Sequence, residues 1–283
     1  MSDTLAPALP LQGRERVTGY ALLALAVFCV AGPFAWIAAA SFKRQIDILA
    51  GTWPFTPTLA NYADVLFGRR SDFAANVLNS AIVAGTSTLI VLVVGTLAAY
   101  SLARFHWARW IRAGFLGWTL VSHMVPVLTL VGPWYVAFRT LGLYDTLTAL
   151  VITHVTINMP MTVWLMMAFF AEIQAEIHEA AHVDGCRAMQ AFWHIALPLA
   201  VPGLIAAGIL AFIFSWNEFS IALNLTSRAT ATVPVAVARF AQQYEVQHAQ
   251  MAAASVISTL PALLLMALGQ RFIVRGLTLG AVK

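Results

Sequence analysis

The chain has 283 residues, 60% of them hydrophobic and only 10% charged, and its mean hydropathy is +0.80. A soluble domain is nearer half apolar and a quarter charged, so these few charges cannot cover this much apolar surface in water. The formal net charge of +4 comes from basic residues flanking apolar stretches. No basic block interleaves with aromatics, which argues against nucleic acid as a partner and for membrane lipid as the solvent.

Six windows carry no Asp, Glu, Lys or Arg: 17–42, 73–103, 113–138, 146–171, 188–217 and 246–270. Each exceeds the roughly 20 residues that a helix needs to cross the hydrocarbon core, and none alternates in polarity as a transmembrane strand does. The fold class expected is an all-α integral membrane protein. Its six transmembrane helices are placed near 17–40, 76–103, 112–138, 148–170, 199–222 and 249–271, after an amino-terminal segment 1–16 and within a membrane domain 17–283. The first window is longer than the apolar core of a signal peptide, and no small-residue cleavage site with a soluble domain follows, so it reads as a span.

Orientation follows the excess of Lys and Arg on cytoplasmic loops. With the amino terminus inside, nine basic residues face the cytoplasm and seven, including Arg70, lie outside. Arg104, Arg109 and Arg112 crowd one short inner loop, and the ends carry Arg14, Arg16, Arg271, Arg275 and Lys283. Both termini are therefore expected in the cytoplasm. The outer segments 41–75 and 223–248 exceed tight turns and contain Pro54, Pro57 and Pro234, which predicts some structure of their own. In the third span, Pro126, Gly132 and Pro133 predict a kink whose freed backbone groups need neighbours. Cys29 and Cys186 lack the spacing of a disulfide framework or metal site and are read as packing residues.

Residues 171–203, between the fourth and fifth spans, form the most acidic stretch, with Glu172, Glu176, Glu179 and Asp184. The three glutamates share one helical face, with Ile173, Ile177, Ala180, Ala181 and Asp184 around the other side. Gly185 can take the left-handed conformation that ends a helix, a second short helix can run over 186–194, and Pro198 and Pro202 mark entry to the next span. This is a short helix-turn-helix with small residues near its tip. An amphipathic helix resting on anionic lipid is usually basic, whereas this one is acidic, which favours a protein partner.

Glu179-Ala180-Ala181, Gly185 and then Ile195-x-Leu197-Pro198 resemble the EAA loop of permeases in binding-protein-dependent ABC importers. Further stretches carry the likeness along nearly the whole chain, among them SFK at 41–43, NS at 79–80, AAYSLARF at 98–105, WNEF at 216–219 and QRFIVRGLTLGAVK at 270–283. They are similar to the second permease type of the maltose-type carbohydrate uptake family. Gln174 stands where that family usually has proline, and His178 where a second Glu commonly precedes the motif. The resemblance implies a type I ABC importer permease fold in a prokaryotic cytoplasmic membrane, translocating a sugar or related solute. It implies a heterodimer with a second permease, two ATPase subunits beneath and an extracytoplasmic solute-binding protein above. The coupling residues it implies are Glu179, Ala180, Ala181, Asp184, Gly185, Ile195, Leu197 and Pro198, within a coupling loop 171–198.

The only lysines are Lys43 and Lys283, so no G-x-x-x-x-G-K-[ST] phosphate loop exists. No cofactor is expected in this chain; ATP and Mg belong to the partner ATPase. No catalytic constellation and no metal site gathers at either face. Near the outer end of the fifth span, Trp216, Asn217 and Glu218 combine an aromatic plane with polar groups suited to a sugar. Two readings stand: a solute pathway, or an interfacial Trp anchor with Glu218 in headgroup water. His123, His154 and Asn158 lie within spans and read as hydrogen-bonded packing rather than a proton relay. A secondary transporter or channel is the alternative class, but no Asp or Glu sits mid-span in any window.

Overall fold

The computed structural model describes residues 13–69, 71–241 and 246–279. Residues 1–12 of the amino-terminal segment, Arg70 and the end at 280–283 with Lys283 lie outside the described residues, as do the side chains of Arg14, His123, Arg271 and Arg275.

In chain order, α1 (Gly13–Ser41) is one long apolar helix, followed outside it by α2 (Gln45–Leu49) and α3 (Ala60–Phe67). The second span, α4 (Phe73–Arg104), runs unbroken. The third does not. It consists of α5 (Arg109–Met124) and α6 (Val127–Thr140), bent by 98° at Val125-Pro126. Pro126 has no N–H to continue the ladder and holds Val125 extended. The helix expected near 112–138 is thus two pieces, with the break at the first of the two prolines. Next, α7 (Leu147–Glu172) starts at Thr146, whose hydroxyl accepts the Ala149 N–H at 3.2 Å.

Short elements follow: α8 (Ala175–Val183), α9 (Ala188–Ala191), a π-helical turn over Phe192–Ala196, and α10 (Leu197–Leu199). A 75° bend at Ala200 leads into α11 (Val201–Trp216). The chain then gives α12 (Ser220–Leu225), α13 (Val233–Arg239) and α14 (His248–Leu279). The single helix expected near 199–222 therefore stops at Trp216 and resumes at Ser220. Among the described residues four helices are long and apolar enough to cross a membrane alone, and up to six spans result when each bent pair counts as one.

Packing centres on α4 and α7, which share the most extensive helix contact, with α11 against both. Without a hydrophobic drive between helices in lipid, close approach by small residues supplies the attraction. A Cβ on Gly95 of α4 would lie 3.1 Å from Thr162 of α7, and one on Gly203 of α11 would lie 2.4 Å from the Phe169 ring. By contrast α1 stays at the periphery, against α14, with its apolar side chains outward.

The segments around α2, α3 and α13 fold onto the span ends through side-chain hydrogen bonds. Asn61 donates to the carbonyls of Ser41 and Lys43 at 2.7 and 2.8 Å. The Lys43 ammonium donates to the Thr52 carbonyl at 2.9 Å and sits 4.7 Å from the Trp53 ring and 4.8 Å from Phe55. Asn76 and Asn79 both donate to the Ala231 carbonyl, and Ser80 accepts the Val233 N–H. Asp145 accepts from Ser227 and Thr230. Partial burial opposes its charge, but these hydrogen bonds outweigh that and hold its carboxyl below the usual carboxylate range.

The tight α7–α11 contact sets a first expectation. Gly203→Leu forces the Phe169 ring or α11 to move and costs about 1–3 kcal/mol. A lowered melting temperature of the purified transporter checks it, with Gly19→Ala, where open space surrounds the added methyl, unchanged.

Candidate functional site

Two places stand out: the segment after α7 and the break in the fifth span. In the first, α8 ends as a left-handed glycine dictates. Gly185 has φ +81°, and the Cys186 N–H reaches back to the Ala181 carbonyl at 2.9 Å. Gln190 accepts the Arg187 N–H at 2.8 Å and so starts α9. The two alanines of the motif have opposite roles: Ala181 is buried against the body, whereas Ala180 is exposed. Glu179, Asp184 and Gly185 are exposed with Ala180, as are Glu172 and Glu176. Ile195 and Leu197 are half-buried and Pro198 exposed, so the carboxyl end of the motif turns the chain into α11.

This segment is rooted on α4. The Arg104 guanidinium donates from Nη2 to the carbonyls of Phe170 and Ile173 at 2.5 and 2.6 Å. Those carbonyls, at the end of α7, have no helical partner, and a cation there also meets the negative end of the helix dipole. One turn earlier, the Tyr100 ring lies 5.4 Å from Phe170, 5.0 Å from Phe192 and 6.0 Å from the His178 ring. His178 therefore packs on α4.

At the second place, Trp216, Asn217 and Glu218 are adjacent in sequence but face different surroundings. Trp216 is buried, its indole N–H donating to the Ser258 carbonyl at 2.9 Å and its ring stacked on Phe212 at 5.7 Å. Asn217 is exposed. The Glu218 carboxylate is 9% exposed and accepts the N–H groups of Ile221 and Ala222 at 2.8 and 3.1 Å, so it caps α12. Opposite it stands His154, wholly buried, with Nε2 3.8 Å from Glu218 Oε2. His154 Nδ1 lies 2.5 Å from Ser215 Oγ, and Ser215 lies 3.1 Å from Ser87 of α4. The expected packing role of His154 is met by a named chain of partners.

Sequence reasoning missed Arg104 as an anchor, Tyr100 as the bearing, and Ser87 and Ser215 altogether. Arg104 carried a signal, since an arginine closing an apolar span is positioned to meet helix-end carbonyls. The serines carried none, because a lone hydroxyl in a span usually bonds its own helix. Also unforeseen is a cavity of about 1040 Å³ between α3, the start of α4 and α13, bordered by Arg69, Asp72, Arg228 and Arg239. Among the described residues no group of His, Cys, Asp or Glu is arranged to hold a metal ion.

Residues 91–278 match the family of binding-protein-dependent transport system inner membrane components. The chain is 36% identical over 271 residues to the trehalose transport system permease protein SugB of Mycobacterium tuberculosis, covering 94% of each. It is 34% identical to the trehalose/maltose transport system permease protein MalG of Thermococcus litoralis, covering 92% of this chain and 93% of that one. Likeness to the inner membrane ABC transporter permease protein YcjP of Escherichia coli is also 34%, over 95% of this chain and 97% of the other. Among solved structures, a bacterial ABC transporter that imports the acidic polysaccharide alginate has the same fold, with a TM-score of 0.76 at 20% identity over 94% of this chain and 99% of that one. A second alginate transporter structure, in complex with an alginate pentasaccharide-bound periplasmic protein, gives a TM-score of 0.66 at 14% identity over 89% and 92%.

The chain belongs to the binding-protein-dependent transport system inner membrane component family. It is a type I permease subunit of an ABC importer, a multi-pass protein of the inner membrane, and ATP hydrolysis belongs to a separate subunit. The secondary transporter or channel weighed above is set aside by that membership.

The geometry at Gly185 yields a test. No neighbour lies within 4 Å of an added Cβ, so only its φ of +81° opposes substitution. Gly185→Val costs about 1 kcal/mol or more in this segment, whereas Gly185→Asn, which tolerates the left-handed region, costs less. Uptake by membranes with equal permease content is expected to fall for Val and to survive for Asn.

Proposed function

We propose that this chain is the second-type permease of a carbohydrate importer, paired with a related permease and fed by an extracytoplasmic solute-binding protein. Two ATPase subunits, which bind ATP and Mg, sit beneath the pair, and the coupling loop 171–198 of this chain docks on an ATPase subunit. One observation carries this reading: Ala180 is exposed beside the acidic residues Glu176, Glu179 and Asp184, while its neighbour Ala181 is buried. A small exposed residue lets a partner surface approach closely, and a buried one fixes the short helix to the body that must move with it. Relatives named for trehalose and maltose support a sugar as the solute. Asn217, exposed at the break in the fifth span, is proposed to line the route, with Trp216 and Glu218 setting the break.

Ala180→Arg is the decisive substitution. It touches no span and no buried contact, so the permease is expected to insert normally. Uptake is lost, with the ATPase subunits either absent from the purified complex or hydrolysing ATP without transport. Normal transport by an Ala180→Arg complex that retains its ATPase subunits would overturn the assignment.

Orientation has its own measurement. In a background lacking Cys29 and Cys186, Val183→Cys, at a site 88% exposed, is expected to resist impermeant maleimide in intact cells and to react in inverted vesicles. Labelling in intact cells would reverse the topology proposed here, in which both termini and this segment are cytoplasmic.

A further inference from the structure

The fifth span is broken between Trp216 and Ser220, and a break near hydrocarbon leaves backbone groups that must be satisfied by other means. On the α11 side the helix closes on itself, the Asn217 N–H reaching the Ile213 carbonyl at 3.0 Å. On the α12 side the Glu218 carboxylate takes two N–H groups of the first turn, those of Ile221 and Ala222. The imidazole of His154 stands across the gap: Nδ1 meets Ser215, in the last turn of α11, and Nε2 faces Glu218, just before α12. One buried side chain of α7 thus touches both lips of the break, and Ser87 extends the contact from Ser215 to α4.

Each neighbour of Asn217 is thereby immobilised from its own direction. Trp216 is held by Ser258 and Phe212, Glu218 by the α12 amides and His154, and α12 itself packs Ile221, Ala222 and Leu225 into the core shared with α6 and α7. Asn217 alone, of the residues from Ser215 to Glu218, is left exposed.

We propose that Glu218 and His154 are positioning residues that fix where the Asn217 side chain is presented on the solute route, and that Glu218 acts through this capping rather than by touching solute. A carboxylate that is 9% exposed and spends one bond of each oxygen on a backbone amide is turned toward α12 rather than toward the hydroxyls of a passing sugar. The inference rests on the route assigned to Asn217 above.

The test reads position directly and needs no knowledge of the solute. Asn217→Cys is placed in the transporter lacking Cys29 and Cys186, and its rate of reaction with a hydrophilic maleimide is measured in the assembled complex. Expected is ready labelling that changes severalfold when Glu218→Ala or His154→Ala is added. Glu218→Gln, whose amide oxygen still accepts one of the two N–H groups, stays close to the parent. A control Thr140→Cys, at the exposed end of α6, keeps its rate in all backgrounds. Where Glu218→Ala does not assemble, His154→Gln serves in the same comparison. Labelling that is unchanged by every added substitution overturns the inference and leaves the route standing. Equal changes at Thr140→Cys reduce the pair to general stability and also overturn it. An unreactive Asn217→Cys removes the route, and the inference with it.

Discussion

Backbone amides and carbonyls have no water to turn to inside hydrocarbon, and each place where this chain leaves the helix is governed by that shortage. A long run without proline such as α4 satisfies itself. Elsewhere a side chain supplies what the helix no longer does. Thr146 accepts for the start of α7, Arg104 donates to the carbonyls at its end, and Glu218 accepts for the start of α12. These three helix ends are thus specified, each by a polar residue whose removal leaves an orphaned group costing about 1–3 kcal/mol when buried, whereas the break before α6 is set by Pro126.

The same side chains determine which helices act as one body. Arg104 and Tyr100 bind the far end of α4 to the close of α7 and to the segment beyond it, while Ser87, nearer the other end of α4, joins the buried contact to Ser215 and His154. Between them, Gly95 allows α4 and α7 to approach until Thr162 lies at the limit of contact. One closely packed pair of helices therefore carries the proposed ATPase-facing segment at one end and the contact to the broken fifth span nearer the other. Rigid-body motion of such a pair needs no separate wire between the two sites.

The acidic segment shows how two adjacent residues of the same type serve different ends. Ala181 is small because it is enclosed, with 4% of its surface exposed, whereas Ala180 is small and open. Gly185 is required by its backbone conformation and by nothing around it, since an added methyl would meet open space. His178 packs on Tyr100, so this segment is held by aromatic contact as well as by the Arg104 anchor.

Composition and the six charge-free windows by themselves determined that the chain lives in a bilayer as helices, because no other arrangement hides so much apolar surface. The left-handed turn at Gly185 was equally legible, since glycine after a short helix is a local signal that requires no partner. Pro126 foretold a kink but not its 98°, which depends on how α5 and α6 each find neighbours. The break after Trp216 was not legible: WNEF reads as the continuation of an apolar helix, and only tertiary structure brings His154 from α7 against both of its sides. On sequence alone Trp216 reads either as an aromatic plane on a solute pathway or as an interfacial anchor. Its burial was decided by a carbonyl of α14, at Ser258, 42 residues away along the chain, which no local pattern could announce.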